Sequence, residues 1–301
     1  MIIDNYGGAV QRGHTIIVNC QLSIPIAVLI TASIVTYRTD HTELARCLQS
    51  LDGSAVAEIY VCDNSPSDDL KDFCQSWPKV TYIFNNANLG YGSGHNVALR
   101  RSMAAHSDYH LVINSDVYFD CTAIEKITEY MEQNPDVAQL IPNVVYPDGR
   151  LQYVCRLLPT PANLIFRRFL PKKLVTKMNR RYLLEFWDHR SPANVPYHQG
   201  SFMFFRTRCL EEVGLFDERF FMYPEDIDIT RRMHRRYRTM FWPGVTIVHA
   251  HRASSYTDPA MLRIHITNMI RYFNKWGWLI DGERRRWNRR LLAQLGYHKQ
   301  Q

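Results

Sequence analysis

Apolar runs and segments with helix-spaced apolar residues follow one another in turn between residues 25 and 120. Each run ends in polar residues, as buried strands do, and each intervening segment repeats apolar residues every three or four positions, as helices do. Asp40 or Thr42 is the expected N-cap of the first helix. The order predicts an α/β fold with a mostly parallel central sheet and helices on both faces. The strand segments are 26–37, 57–65, 80–86 and 109–116, and the helix segments are 40–51, 68–77 and 93–106.

The alternation loosens in the second half of the chain. A helix over 125–134 is expected to stop before Pro135, and the pair Asp148-Gly149 predicts a hairpin turn. Further on, the pattern predicts a strand over 200–207, a short helix over 209–214, a helix opening at 223–229, a strand over 240–251, and a long helical tail from Pro259.

Composition is that of a globular protein with a large core, since 46% of the 301 residues are hydrophobic and 22% are charged. The longest apolar run, Ile24 to Val35, is about half the length needed to cross a bilayer and lacks the charged flank of a signal peptide. Seven cysteines are scattered singly with no C-x-x-C pair. This usage predicts reduced thiols in a cytoplasmic protein.

The charge indicates an anionic partner, because the net charge is +7 and the pI is near 9.0. Two segments, 166–190 and 283–290, interleave Lys and Arg with aromatic residues. Such segments are typical of surfaces that rest on anionic lipid headgroups, and a solvated basic helix face is the alternative.

Polar residues follow the predicted strands at their carboxyl ends, where ligands bind in parallel sheets. The Asp63 carboxylate can accept a hydrogen bond from a nucleotide base or a ribose hydroxyl. The alternative interpretation is that Asp63 forms the turn and caps the next helix. Gly90, Gly92 and Gly94 precede a helix and leave room for a ligand, although they do not form the G-x-G-x-x-G dinucleotide motif.

Candidate metal ligands come next along the chain. Asp116 ends an apolar strand, with Asn114 on the same side of the extended chain, so its carboxylate is suited to Mg²⁺ or Mn²⁺. A strand-terminating Asp without a metal is the alternative. His249 and His251 end a late strand with the same two-residue spacing.

The segment "FFMYPEDIDITRR" places Glu225, Asp226 and Asp228 within four positions. Acids in the first turn of a helix are stabilised by its dipole, which is one interpretation. The other interpretation is that the pair Glu225 and Asp226 contains a reactive carboxylate, because Asp228 and the following arginines would already complement the helix dipole.

In chain order these segments resemble family 2 glycosyltransferases of the GT-A fold, specifically the bacterial branch that includes rhamnosyltransferases of O-antigen and other polysaccharides. The resemblance covers roughly residues 26–255 and rests on the motifs "IVTYRTD", "VCDNSPSDD", "NLGYGSGHN", "INSDV", "GSFMFFRTRCLEEVGLFDERFFMYPEDIDITRR" and "VHAHRASS". It divides the chain into an N-terminal extension (1–24), a GT-A domain (25–255, with a nucleotide-sugar half to about 120 and an acceptor half after it) and a C-terminal basic helical region (256–301).

The resemblance implies a role for each matching position. Asp226 would be the general base, with Glu225 beside it, and Asp116 would be the last acid of the D-x-D element that binds the cation. Asn114 stands where many relatives have the first Asp, and Arg252 and Ala253 stand where relatives have glycines. Donor contacts would come from Thr36, Tyr37, Asp63, Asn88, Gly90, Gly94, Asn96, Asn114 and Ser115, and acceptor contacts from Gly200 and Ser201. His249 would complete the metal site, and His251 would contact the metal or a phosphate.

The implied activity is an inverting, metal-dependent transfer of a sugar, best matched by rhamnose from dTDP-rhamnose, onto a polyprenyl-diphosphate-linked or glycan acceptor. The enzyme would lie peripherally on the cytoplasmic face of the membrane, contacting anionic lipid and no nucleic acid. A UDP-sugar donor is an alternative, since uracil and thymine present the same imide N–H to Asp63. A nucleotidyltransferase would need a glycine-rich loop after the first strand, which is absent. A non-catalytic lipid- or nucleic-acid-binding protein is the remaining alternative.

Overall fold

The protein is described by a computed structural model over residues 28–165, 172–250 and 259–297. The predicted N-terminal extension 1–24 and His251 lie outside these residues. The strands are β1 (Ile30–Thr36), β2 (Glu58–Asp63), β3 (Val80–Phe84), β4 (Tyr109–Ile113), β5 (Val117–Tyr118), β6 (Val137–Val145), β7 (Ala193–Asn194), β8 (Phe202–Arg206) and β9 (Arg238–His249). The helices are α1 (His41–Asp52), α2 (Lys71–Gln75), α3 (Tyr91–Ala104), α4 (Ala123–Gln133), α5 (Pro161–Leu164), α6 (Lys172–Tyr182), α7 (Thr207–Val213), α8 (Glu225–His234), α9 (Pro259–Trp276) and α10 (Gly282–Gln294).

The strands of the described residues form one sheet in the order β3-β2-β1-β4-β8-β6-β9-β5, with β7 added beside β9. The first four strands are all parallel, as the alternating pattern predicted. β8 then pairs antiparallel with both β4 and β6, and β6 pairs parallel with β9. The sheet is therefore parallel in the first half and mixed in the second, and the carboxyl ends of β1, β2 and β4 lie at one edge.

The helices of the first half follow from their sequence patterns. Asp40 is the N-cap of α1 and accepts hydrogen bonds from the backbone N–H groups of Thr42 and Glu43. α1 buries Leu44, Cys47, Leu48 and Leu51, the apolar face that its spacing predicts. α3 begins at Tyr91, two residues before the predicted start, because the glycine-rich segment is part of the helix.

The predicted helical tail is confirmed and consists of two helices, α9 and α10. Gly277 has a φ of 96° at the end of α9, a conformation that favours glycine, and Asp281 then caps α10. Both helices share the main core, to which they contribute Tyr272, Phe273 and Leu291. No helix in the described part of the chain has the length and apolarity needed to span a membrane.

Candidate active site

Asp63 stands fully buried at the carboxyl end of β2, directly beside Thr36 of β1 in the parallel register. Its Oδ1 accepts hydrogen bonds from the Thr36 hydroxyl (3.1 Å) and the Ser65 backbone N–H (3.0 Å), and its Oδ2 accepts one from the Tyr82 hydroxyl (2.7 Å). Burial, with this hydrogen bond added, raises the pKa of Tyr82. The neighbouring Tyr37 is 48% exposed, so it presents an aromatic side chain to solvent at the same sheet edge.

The glycine-rich segment allows close packing within the protein. A Cβ on Gly90, whose φ is 81°, would lie 2.1 Å from the Phe221 carbonyl oxygen. A Cβ on Gly92 would lie 2.9 Å from the Phe216 Cβ, and one on Gly94 would lie 2.8 Å from a methyl group of Val35. The glycines therefore let α3 pack against β1 and the segment before α8. From the sequence, they were expected instead to leave room for a ligand.

Asn88 and Asn96 use their amides inside the chain. The Asn88 side chain accepts a hydrogen bond from the Gly90 backbone N–H (3.1 Å). The Asn96 amide donates to the Phe216 carbonyl (2.9 Å) and to Glu218 (3.0 Å), and accepts from the Phe216 backbone N–H (3.0 Å). Asn96 thus joins α3 to the segment that leads to the carboxylate pair. Its expected contact with the nucleotide-sugar donor stays a prediction.

Asp116 and His249 are brought together by the pairing of β5 with β9. The backbone N–H of Ala250 donates to the Asp116 carbonyl (2.9 Å), and His249 Nε2 lies 3.2 Å from Asp116 Oδ1. Ser115 instead turns to α1, where its hydroxyl donates to Glu43 (2.8 Å). Of the predicted metal ligands, the structure therefore joins Asp116 and His249.

Gln152 fixes which His249 nitrogen faces the aspartate. The Gln152 amide nitrogen, Nε2, donates to the His249 carbonyl (2.7 Å). The Gln152 amide oxygen, Oε1, lies 2.9 Å from His249 Nδ1 and can only accept, so Nδ1 carries the proton. In the neutral imidazole Nε2 then carries a lone pair directed at the Asp116 carboxylate. Two facing acceptors need a proton or a cation between them.

The pair fits a divalent cation. Two ligand atoms bound at right angles, each about 2.1 Å from a cation, lie roughly 3 Å apart, and the observed separation is 3.2 Å. A carboxylate and an imidazole whose orientation is fixed are suitable donors for Mn²⁺ or Mg²⁺. Within the described ranges no group of three or more His, Cys, Asp or Glu side chains is arranged to hold a metal, so this site would use two protein ligands and the substrate's oxygens.

Asp226 and Glu225 open α8, and the two carboxyls differ in their partners. Asp226 Oδ2 accepts from the Gly200 backbone N–H (3.1 Å) and Oδ1 from the Ile227 N–H (2.8 Å). Burial raises the pKa of Asp226 to about 6, and these N–H groups and Arg156 oppose the increase. Glu225 is 4% exposed, and its Oε2 has no hydrogen-bond partner among the described residues. Burial, followed by the charge of Asp226, holds the pKa of Glu225 well above its usual value.

The segment Gly200–Ser201 connects the two halves of the site. Gly200 donates to Asp226 through its backbone N–H, and the Ser201 carbonyl accepts from the Asn114 N–H (3.1 Å). The Tyr91 hydroxyl donates to the Gly200 carbonyl. Burial and the charges of Glu225, Asp226 and Asp116 raise the pKa of Tyr91 well above its usual value, so this tyrosine lies within electrostatic range of all three acids. The predicted acceptor residues thus lie between the predicted metal ligand and the predicted base.

Several site residues were missed by the sequence interpretation. Arg156 donates to the Gln199 side chain (3.2 Å) and the Tyr197 hydroxyl (3.4 Å) and lies close enough to Asp226 to lower its pKa. Arg156 and Gln152 occur singly and match no motif, so no sequence signal marked them. Tyr91 lies within the motif "NLGYGSGHN" but was given no role of its own. Asp228, by contrast, is structural, because it is fully buried and accepts hydrogen bonds from Arg232 and Trp276.

The parallel half of the sheet carries polar side chains at one edge, and the other half supplies the adjacent carboxyls of Glu225, which is buried, and Asp226, which is half-buried. This arrangement is typical of the GT-A fold. The family model "Glycosyl transferase family 2" matches residues 31–214, more than half of the chain. The chain belongs to glycosyl transferase family 2 and is a glycosyltransferase.

Two curated relatives are rhamnosyltransferases. The chain is 28% identical over 234 residues to the N-acetylglucosaminyl-diphospho-decaprenol L-rhamnosyltransferase of Mycobacterium tuberculosis, a match that covers 73% of this chain and 75% of the relative. It is 26% identical over 224 residues to the rhamnosyltransferase WbbL of Escherichia coli K12, covering 71% and 81%.

Solved structures share the fold. GalNAc-T7 with UDP, GalNAc and Mn²⁺ superposes with a TM-score of 0.63 at 13% identity over 83% of this chain, which spans about half (49%) of that structure's chain. The S. aureus protein TarS superposes with a TM-score of 0.53 at 14% identity over 89% of this chain and 43% of the other. These likenesses show the GT-A fold.

Proposed function

We propose that this glycosyltransferase moves rhamnose from dTDP-rhamnose, with inversion at the anomeric carbon, onto a lipid-diphosphate-linked sugar in the synthesis of a bacterial surface polysaccharide. The observation that carries the proposal is the short backbone link from the Asp116 end of β4 through Ser201 and Gly200 to Asp226. It joins the pair Asp116 and His249, which is suited to a cation, to a carboxylate whose raised pKa suits a base, as transfer from a nucleoside diphosphate sugar requires.

The donor half would hold the nucleotide. Asp63 is held rigidly by three donors, so its carboxylate is oriented before the nucleotide arrives. Tyr37 and the backbone of the loop before α3 are exposed beside it and would contact the base and ribose. The rhamnosyltransferase relatives support dTDP-rhamnose over the UDP-sugar alternative.

Asp226 would take the proton from the acceptor hydroxyl. Its pKa of about 6 leaves it ionised at neutral pH, yet makes it a stronger base than an exposed aspartate. Burial and the charge of Asp226 hold the pKa of Glu225 well above its usual value and so favour its protonated form. Asp226 would therefore be the base, with Glu225 as its neighbour.

Asp116 and His249 would hold a divalent cation against the donor diphosphate. The cation supplies charge neutralisation for the departing nucleoside diphosphate. Gln152 orients the imidazole through its two hydrogen bonds to His249. The GT-A structure of GalNAc-T7, solved with Mn²⁺, supports a cation in this fold.

The acceptor would be presented at the cytoplasmic surface of the membrane. The curated relative from Mycobacterium tuberculosis is named for a decaprenyl-diphosphate-linked acceptor. The described part of the basic segments, with exposed arginines on α10, supports attraction to anionic lipid.

A donor panel tests this proposal. Purified enzyme with Mn²⁺ and N-acetylglucosaminyl-diphospho-polyprenol would receive dTDP-rhamnose, UDP-N-acetylglucosamine or UDP-galactose, and mass spectrometry would identify the lipid product. We expect a deoxyhexose adduct from dTDP-rhamnose alone, reduced when Mn²⁺ is replaced by EDTA. Hexosamine or hexose transfer from UDP would establish the UDP-sugar alternative instead, and equal transfer in EDTA would refute the metal role.

A further inference from the structure

An open cavity of about 1230 Å³ lies between the end of α6 and the outer face of α10. We name it the C-terminal groove. It is larger than the roughly 300–1,000 Å³ of typical small-molecule pockets. Its walls are largely apolar and include Leu157, Leu158, Trp278, Leu279 and Leu292. Leu279 is 76% exposed, so the groove meets solvent there, and the adjacent Ile280 is 86% exposed.

The groove also carries positive charge. Arg181 of α6 and Arg285 and Arg289 of α10 line it, and the latter two lie one helical turn apart on the same face. None of these three guanidinium groups forms an ion pair with a carboxylate of the described residues. An apolar channel bordered by such arginines complements a molecule that has a long hydrocarbon chain and an anionic head.

The groove adjoins the acceptor side of the active site. Tyr182 lines it, and the Tyr182 carbonyl accepts a hydrogen bond from the Leu157 backbone N–H (3.1 Å). The preceding residue, Arg156, donates to the Gln199 side chain, and Gly200, next in sequence, donates to Asp226. One wall of the groove is thus continuous with the residues that hold the proposed base.

We infer that the C-terminal groove binds the hydrocarbon chain of a polyprenyl-diphosphate acceptor, with Arg285 and Arg289 facing its phosphates. Leu279 and Ile280 enter the bilayer and guide the chain from the membrane into the groove. The inference rests on the proposed function, because it assigns a binding site to the lipid of that acceptor. This binding differs from general attraction to an anionic surface, because it requires the face of α10 that carries Arg285 and Arg289.

The arginines of α10 provide a matched pair of variants. Arg286 and Arg290 are exposed on the same helix but line a different, polar cavity. Flotation with phosphatidylcholine vesicles containing undecaprenyl phosphate, or phosphatidylglycerol at equal surface charge, would be measured for wild type, Arg285→Gln/Arg289→Gln and Arg286→Gln/Arg290→Gln.

Wild type is expected to bind the undecaprenyl phosphate vesicles more tightly than the phosphatidylglycerol vesicles. The groove variant is expected to lose that preference and to bind the former roughly fivefold more weakly for each arginine removed, whereas the control retains the preference. Equal losses in both variants, or no preference in wild type, would overturn the inference in favour of a general anionic surface.

The contribution of the apolar wall to acceptor binding is tested by Leu279→Ser. The control is Ile266→Ser, because Ile266 of α9 is 38% exposed and does not line the groove. Leu279→Ser is expected to raise the KM for a polyprenyl-diphosphate acceptor and to leave transfer to a chain-free N-acetylglucosamine diphosphate unchanged. Equal effects on both acceptors would overturn the inference. If wild type transfers to neither acceptor yet prefers undecaprenyl phosphate vesicles, the proposed function fails while the groove stands.

Discussion

The two adjacent carboxyls at the start of α8 differ because of their hydrogen bonds. The two lie side by side, yet Asp226 is half-buried and accepts two backbone N–H groups, whereas Glu225 is buried and one of its oxygens accepts none among the described residues. A hydrogen bond to the charged form lowers a pKa and burial raises it. The balance favours the protonated form of Glu225 more strongly than that of Asp226, which supports the proposal that Asp226 is the base.

The first prediction concerns the pH dependence of transfer. If Asp226 is the base, its deprotonated form is the active one. Because burial raises the pKa of Asp226 to about 6, kcat should then rise about tenfold per pH unit below that value and level off above it. The measurement is kcat from pH 5 to 8 at saturating donor and acceptor, with donor affinity measured as a control. A kcat that is independent of pH across this range would show that another group takes the proton.

The second prediction concerns the stability cost of Glu225. Its folded-state pKa is raised, so its stabilising contribution is present below its unfolded pKa of about 4.5 and is lost as the pH rises toward its folded value. In Glu225→Gln this loss disappears, so the Tm should fall less between pH 5 and pH 7 than in wild type. Glu211→Gln, a change at an exposed glutamate, should follow the wild-type curve. Identical curves for all three proteins would contradict the assignment.

At the scale of elements, α3 determines how the donor half meets the segment before α8. Gly92 lets the helix approach Phe216 closely, because a Cβ at this position would lie 2.9 Å from the Phe216 Cβ. One helical turn later, the Asn96 amide donates one hydrogen bond to the Phe216 carbonyl and accepts one from the Phe216 backbone N–H. Because Tyr91 begins this helix and donates to the Gly200 carbonyl, the packing of α3 also positions the acceptor side.

The third prediction is that Gly92→Ala destabilises the fold by about 1–3 kcal/mol, since the new methyl would lie 2.9 Å from the Phe216 Cβ and force a backbone shift. Gly282→Ala in the first turn of α10 is the control, because nothing lies within 4 Å of its added Cβ. Urea denaturation of both variants measures the change. A Gly92→Ala protein as stable as the Gly282→Ala control would show that α3 has room to move.

The sequence predicted the elements from β1 to α3 because each has its own local periodicity, and Asp40 additionally caps α1. It did not predict that β8 enters the sheet antiparallel between β4 and β6, because strand order depends on contacts between segments far apart in the chain. Asp116 and Asp226 were predicted as site residues through motifs. Gln152 and Arg156 were not, because their importance comes from distant partners, His249 and Gln199.

At the scale of the whole molecule, the C-terminal helices are bound directly to the helix that begins with the carboxyl pair. Arg231 of α8 is 1% exposed, forms a bidentate ion pair with Asp281 (2.8 and 2.8 Å), and stacks over Trp276 at 4.1 Å. The Nζ of Lys275, in α9, lies 2.6 Å from the Oδ1 of Asp228, which belongs to α8. The groove and the proposed base are therefore parts of one packed unit.

The fourth prediction is that Arg231→Met destabilises the protein by about 3–5 kcal/mol, because Asp281 is left buried without its partner. Arg236→Met removes an exposed ion pair with Glu212 and should cost less than about 1 kcal/mol. Thermal and urea unfolding of both variants checks the difference. Similar small losses would mean that α9 and α10 are not held through α8.

The most direct test of the central claim compares Asp226→Asn with wild type in two assays, affinity for dTDP with Mn²⁺ and the rate of rhamnose transfer. If Asp226 is the base and the donor binds at the other edge of the site, transfer should fall about 10²–10⁴-fold while dTDP affinity stays the same. Transfer at the wild-type rate, or a loss of dTDP binding equal to the loss of transfer, would contradict the account.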